Sequence, residues 1–404
     1  MSFDIGIIGA GVAGAFASLR IADKYKNKKV ILFDIGRRPG KRRRQLEGWL
    51  GCLPAGDGKL YINDLEKVKE ISDGRKIRHA DKWINSYLKK ANPMKLIRSP
   101  IPSATARKRL VDNNFDYEVY NYYQWKPESV HKLSRIMAEK IEESGNIHFS
   151  FDNQVFDVNK SDDGKLFNIS SEKGAFQCKK ILLCTGRSGW RWVSRLYKKF
   201  GIASNDYARY GIRMEAPSSL LKDFNKSHLH IFDDCFDIGP LSWSGSVIPE
   251  DHSDLVISSF RSNEDRWKTD KVSFSLTKDV LIKESGFEET DRIGKLSFVL
   301  YNDRVSREKI KLFMSGKSPL NLLPEFDWLA DTINRLDKVI PDISNKGYFH
   351  VPNILPIPAI INVDQNLESD IKNIYVTGEN LGIMGILSAA ITGTIAADAA
   401  CKNN

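Results

Sequence analysis

Three short segments carry the residue types that could do chemistry. Near the start of the chain, Gly9, Gly11 and Gly14 stand at the spacing G-x-G-x-x-G. A turn of this kind is built to hold a phosphate: its amides can approach an anion with no Cβ in the way, and the following helix contributes a partial positive charge. Gly9 permits the tight turn, Gly11 admits a pyrophosphate, and Gly14 lets the helix lie close on the strand. Asp34, at the end of the next apolar run, is placed to accept hydrogen bonds from ribose hydroxyls. Far downstream, Thr185-Gly186-Arg187 and Thr377-Gly378-Glu379-Asn380 form two more strand-to-turn crossovers, the second followed by Gly382 and Gly385.

These segments need a scaffold, and the apolar pattern provides one. Phe3–Ile8 and Val30–Phe33 read as buried strands on either side of a helix over Ala15–Tyr25, giving a β-α-β unit. Lys180–Cys184 and Ile374–Thr377 read as two more buried strands, and Ser129–Ser144 and about Gly385–Ala400 as helices. Ile147–Val158 and Lys165–Ser170 read as strands around the turn Ser161-Asp162-Asp163-Gly164. Residues 200–345 alternate strand-like and helical pieces, the pattern of an antiparallel second domain. The expected fold class is α/β: a composite Rossmann-like domain with a parallel sheet and helices, plus an α+β domain whose antiparallel sheet caps the cofactor. The expected boundaries are 1–65, 130–200 and 346–404 for the nucleotide domain, with 66–129 as an insertion or cap segment and 201–345 as the substrate domain.

Composition sets the limits. The 404 residues are 41% hydrophobic and 28% charged, enough for a substantial core, which excludes a disordered or disulfide-stapled chain. The net charge of +10 suits phosphorylated partners, and part of it is local, in Arg37, Arg38, Lys41, Arg42, Arg43 and Arg44. Five widely spaced cysteines without a C-x-x-C fit neither a zinc site nor a disulfide framework, and point to a reducing, cytoplasmic setting. The apolar run Ile5–Ala17 lacks the basic flank of a signal peptide, and Gly382–Ala400 is too rich in small residues for a membrane span. No H-E-x-x-H or G-x-S-x-G is present.

Which dinucleotide the turn binds follows from the distant segments. A flavin dinucleotide is long and needs a second site for its ribityl chain and ring. Glu379 on a strand end can bond ribityl hydroxyls, and the helix start at Gly385 can face the pyrophosphate or the flavin O2 edge. A plain nicotinamide dehydrogenase needs neither, so the cofactor expected is FAD. Together, Gly9–Gly14 with Asp34, Thr185–Gly189 and Thr377–Asn380 with Gly385 resemble FAD-dependent oxidoreductases with two dinucleotide-binding folds. More narrowly, the chain is similar to a bacterial family of FAD-dependent dehydrogenases, most without an assigned substrate. The matching segments are Gly51–Leu60, ending Asp57-Gly58-Lys59-Leu60; the Gly186-Arg187-Ser188 turn; and Gly211-Ile212-Arg213-Met214-Glu215. The chain departs from that family at Leu241-Ser242-Trp243-Ser244-Gly245 and at Ile360 and Ile361. Both departures fall where substrate is expected, so the resemblance implies the cofactor and not the substrate.

The expected cofactor contacts are Gly9, Gly11, Val12, Ala13, Gly14, Asp34, Ile35, Arg44, Lys59, Val155, Thr185, Gly186, Arg187, Gly378, Glu379, Gly385 and Ile386. In a flavoenzyme the ring performs the redox step, so few catalytic side chains are needed. The candidates are Lys59 at a phosphate or the N1/O2 edge, Arg187 on a substrate anion or the flavin, and His350 as a proton donor. Trp190 and Trp243 could stack on substrate or simply fill the core. Cys52 has no partner thiol nearby, which disfavours a disulfide reductase. No second G-x-G-x-x-G exists for a dedicated nicotinamide domain. The expected partners are a small organic substrate and a transient NAD(P)H or an electron-transfer protein. Two alternatives stay open: an NAD(P)H-dependent flavin monooxygenase, and a flavoprotein that binds RNA through basic-aromatic stretches such as Trp190–Lys199.

Overall fold

The computed structural model describes residues 2–41, 45–63, 65–93, 95–201, 204–205, 207–252, 255–281, 286–355 and 360–402. The chain divides into two compact units. The first comprises Met1–Lys95, Trp125–Asn205 and Ile357–Asn404; the second comprises Leu96–Gln124 and Asp206–Pro356.

The first unit is organised by a seven-stranded sheet. Ser2–Ile8 lies at its centre, parallel to Val30–Phe33 on one side and to Gly174–Leu183 on the other. Ile147–Ser150 extends the parallel run beyond Val30–Phe33, and Ile374–Val376 pairs with the end of Gly174–Leu183. The other half of Gly174–Leu183 continues antiparallel into Phe167–Ser171 and Val155–Lys160. Val30–Phe33 and Ile374–Val376 are buried throughout, as near-continuous apolar runs in a covered parallel sheet should be. Helix Val12–Lys24 packs on the C-terminal helix Ile386–Lys402 and on Pro127–Ser144. The first contact is tight because both surfaces are small: a Cβ on Gly393 would lie 2.2 Å from the Ala13 carbonyl oxygen.

Three sequence expectations change here. Ile147–Val158 is two strands, because Asp152 adopts a left-handed conformation and the chain turns there. The amides of Asp152 and Asn153 then bond to the carbonyls of Gly36 and Asp34. Residues 66–95, expected with the cap, fall in the first unit, since helix Gly74–Ala91 packs on Ile386–Lys402 and Pro127–Ser144. Tyr348–Leu355, expected in the nucleotide domain, is instead paired with Tyr207–Pro217 in the sheet of the second unit.

That second sheet is antiparallel, with Tyr207–Pro217 between Lys271–Leu281 and Tyr348–Leu355. Alternation along the strands separates two faces. Tyr210, Ile212, Met214 and Ala216 join Val272, Phe274 and Leu276 in the core. On the other face lie Arg209, Gly211, Arg213 and Glu215, with Ser273, Ser275 and Thr277 on the neighbouring strand.

Candidate functional site

The carboxyl ends of the parallel strands in the first unit are where an open α/β sheet binds ligands. Three of them end in the glycine turns singled out above. At the first, Gly9 has a φ of +101°, and a Cβ there would lie 2.4 Å from the Cys184 carbonyl oxygen. A Cβ on Gly14 would lie 1.9 Å from the Gly9 carbonyl oxygen. Packing inside the protein therefore requires the outer two glycines. It does not require Gly11, whose Cβ would meet nothing nearer than 3.8 Å. Gly11 is also the N-cap of Val12–Lys24 and supplies no side-chain cap, and the first helical turn has no acidic residue. The leading amides at Val12, Ala13 and Gly14 thus have the chemistry of an anion cradle.

Asp34 follows Val30–Phe33 and is buried. Its Oδ2 accepts from the Ala10 amide at 2.6 Å, and its Oδ1 accepts from Gly36 and Gly48 at 2.7 and 2.9 Å. A carboxylate offers about four lone-pair positions, so one is left after these three amides. Burial pushes the Asp34 carboxyl up, against the pull of its three donors. Expected mainly as a ribose ligand, Asp34 is in the first place the clamp that ties the glycine turn to the loop around Gly48. The same loop donates from the Leu50 amide to the Ala10 carbonyl at 2.8 Å. Sequence reading noted the flanking run Arg37–Arg44 and the segment Gly51–Leu60 but missed the contact at Gly48, which nothing local in the sequence signals. Next to the clamp, Ile35 is 45% exposed.

The second and third turns interlock. Thr377 Oγ1 donates to the Leu183 carbonyl at 2.9 Å, and Asn380 Nδ2 donates to Thr185 Oγ1 at 3.2 Å. Arg187 Nη2 donates to Glu379 Oε1 at 2.8 Å. The Gly378 amide donates to Thr392 Oγ1 in the C-terminal helix. A Cβ on Gly378 would lie 3.9 Å from Ala13 Cβ, so the corner before Glu379 adjoins the first helical turn after Gly11. Gly385, with a φ of +106°, caps the helix that Ile386 begins. Beside this corner lies a cavity of about 500 Å³, lined in part by Lys69, Ser72, Ile361, Gln365 and Leu381.

The remaining predicted residues divide. Lys59 is buried in an ion pair with Asp57. Val155 opens its strand two residues after Asn153, whose amide bonds the Asp34 carbonyl. Arg44 lies outside the described residues. His350 belongs to the second unit, where it is buried close to Glu215. Trp190 is buried, Trp192 Nε1 donates to the Phe156 carbonyl, and Lys199 pairs with Asp157. The basic-aromatic stretch is an amphipathic helix, Trp190–Phe200, that buries Trp190, Val193, Leu196 and Tyr197. Trp243 donates to the Ser227 carbonyl at 2.7 Å and packs against the second unit's core.

Among the described residues no group of three His, Cys, Asp or Glu is arranged to hold a metal, and no helix is long and apolar enough to cross a membrane. No family model matches the chain, and no curated protein matches it. Solved structures similar to it include glycine oxidase from Geobacillus kaustophilus, at 13% identity over 100% of this chain and 95% of that one, with a TM-score of 0.45. Another is glycine oxidase from Bacillus cereus, at 13% identity, 98% and 94% coverage and a TM-score of 0.41. A third is a geranylgeranyl bacteriochlorophyll reductase-like protein from Thermoplasma acidophilum, at 11% identity, 99% and 78% coverage and a TM-score of 0.43.

Proposed function

We propose that the first unit binds FAD and that the protein is an FAD-dependent oxidoreductase acting on a small organic molecule. The observation that carries this reading is Gly11: it is the one glycine of the turn that internal packing does not require, and it stands where a phosphate would approach the helix. In this reading the Val12, Ala13 and Gly14 amides hold the pyrophosphate. Asp34, through its remaining lone pair, and the exposed Ile35 serve the adenosine end. Glu379, Arg187 and the helix start at Gly385 and Ile386 serve the ribityl and ring end. When bound, the flavin supplies hydride transfer between its N5 and an organic substrate. The chain's own part is to bind, orient and shield the cofactor. Among the described residues Cys52, Cys178, Cys184, Cys235 and Cys401 form no disulfide, which fits a reducing compartment, in keeping with a cytoplasmic enzyme.

The test is the colour of the purified protein and its response to reductants without oxygen. A yellow protein bleached by a small organic donor supports a dehydrogenase. Bleaching by NADH or NADPH would move the assignment to a reductase or monooxygenase. Protein that is colourless and takes up no FAD on incubation refutes the reading.

A further inference from the structure

The second unit contains a cavity of about 430 Å³, within the size range of small-molecule sites. Val247, Ile248 and Val256 give it an apolar wall, while Arg304, Arg307 and His350 line its polar side. His350 is only 5% exposed, and its Nε2 meets no hydrogen-bond partner among the described residues. The group closest in character is Glu215, whose Oε2 is 3.8 Å from that nitrogen. Glu215 remains a carboxylate because its Oε1 accepts from Lys271 at 2.9 Å and from Arg307 at 3.1 Å.

Burial pushes the His350 imidazole down to about 4, so the ring is neutral near pH 7, and its N–H is directed to the Ser306 backbone. That leaves a bare lone pair on Nε2, facing a carboxylate oxygen: two acceptors with no hydrogen between them. A buried acceptor left unmet is costly, so this slot calls for a donor. An ammonium is disfavoured, because Arg304 and Arg307 line the cavity, Arg213 acts on His350, and Glu215 is already paired with Lys271 and Arg307. An uncharged hydroxyl fits. The arginines at the mouth suit an acidic end, and the valine and isoleucine wall suits an apolar body.

We propose that this cavity binds a small hydroxy acid with an apolar body, its hydroxyl donating to His350 Nε2 and its carboxylate meeting Arg304 and Arg307. The site lies wholly within the second unit and does not depend on the flavin reading. A preparation that takes up no FAD yet binds such an acid would leave this inference standing and remove the other.

Mandelate, which has all three features, and phenylacetate, which lacks only the hydroxyl, are suitable probes. Titration calorimetry on the protein as purified should show mandelate binding at least about tenfold more tightly than phenylacetate. His350→Leu should abolish that preference, and Arg304→Ala should weaken both ligands about equally. The ¹⁵N shift of His350 Nε2 in the unaltered protein should move with mandelate and not with phenylacetate, a readout that does not rely on any variant folding. Equal affinities, no saturable binding, a preference that survives in His350→Leu, or an unresponsive Nε2 would overturn the proposal.

Discussion

Arg187 Nη2 donates to Glu379 Oε1 over 2.8 Å, joining two turns 192 residues apart in the chain. Both side chains remain about a quarter exposed, at 25% and 26%, so the pair closes the corner without sealing it. The arginine expected to meet an anion and the carboxylate expected to meet hydroxyls thus orient each other. Glu379→Gln preserves shape and removes charge. Because a partly exposed pair is worth about 0–1 kcal/mol, thermal unfolding should hardly move. The ratio of flavin to protein absorbance after dialysis should fall several-fold. An equal loss of fold and flavin would make the pair structural only.

The three glycines of the first turn should separate by experiment. Gly14→Ala drives a methyl into the Gly9 carbonyl, and overpacking of that kind costs about 1–3 kcal/mol or more, so the variant should melt early. Gly11→Ala has room within the protein and should melt near the parent temperature. It should nevertheless lose bound flavin, as read by absorbance near the flavin band. If Gly11→Ala retains stoichiometric flavin, the turn is not the phosphate site.

Stability should depend on pH through His350. Its folded-state pKa of about 4 lies below the ordinary 6.5, so between those values the unfolded chain binds the extra proton. The stability it contributes is complete above pH 6.5 and declines as the pH falls toward 4, by about 3 kcal/mol across the window. Glu215, also held below its usual range, declines in the same direction in more acid solution. Urea unfolding at pH 7.5 and 5.0 should show a larger drop for the parent than for His350→Gln. Parallel drops would place the titration elsewhere.

Thiol chemistry offers a count. Cys52 and Cys235 are exposed, while Cys178, Cys184 and Cys401 are buried, and burial pushes each of those three thiols up to about 12. A maleimide should label two sites quickly in the native protein and all five in denaturant. Rapid native labelling of Cys184 would contradict its place under the glycine turn.

Arg20 bonds Asp398 through two contacts of 2.7 and 2.9 Å, and Tyr25 donates to the same carboxylate. Arg20 is almost fully buried, with its guanidinium over the Trp83 ring. Removing one partner of a buried pair costs about 3–5 kcal/mol, so Asp398→Ala should lower the unfolding midpoint strongly. Should its melting match the parent's, the pair would be dispensable.

Much of the first unit was legible because its signals are local. A short apolar strand, a glycine turn and a helix follow one another within residues 2–24, and period and composition are enough to read them. The break at Asp152 was not legible, because it depends on hydrogen bonds to Gly36 and Asp34, far away in sequence. The triple amide clamp on Asp34 and the pairing of Arg187 with Glu379 were hidden for the same reason. The polar sheet face Arg209-x-Gly211-x-Arg213-x-Glu215 was not read from the sequence, where Gly211–Glu215 served only as a family likeness. What the sequence could not convey is that strand pairing would set Glu215 beside His350.

The C-terminal helix gives the order of synthesis a consequence. Strand Ser2–Ile8 and the turn after it precede Ile374–Val376 and Ile386–Lys402 by more than 350 residues, so the helix that covers them is made long after they are. Gly393 seats on Ala13, and Asp398 neutralises Arg20. Until that late segment arrives, the nascent amino-terminal fold carries an uncovered apolar flank and an unneutralised arginine. A chain that ends before Ile386 therefore lacks both the surface that covers Ala13 and the carboxylate that pairs Arg20.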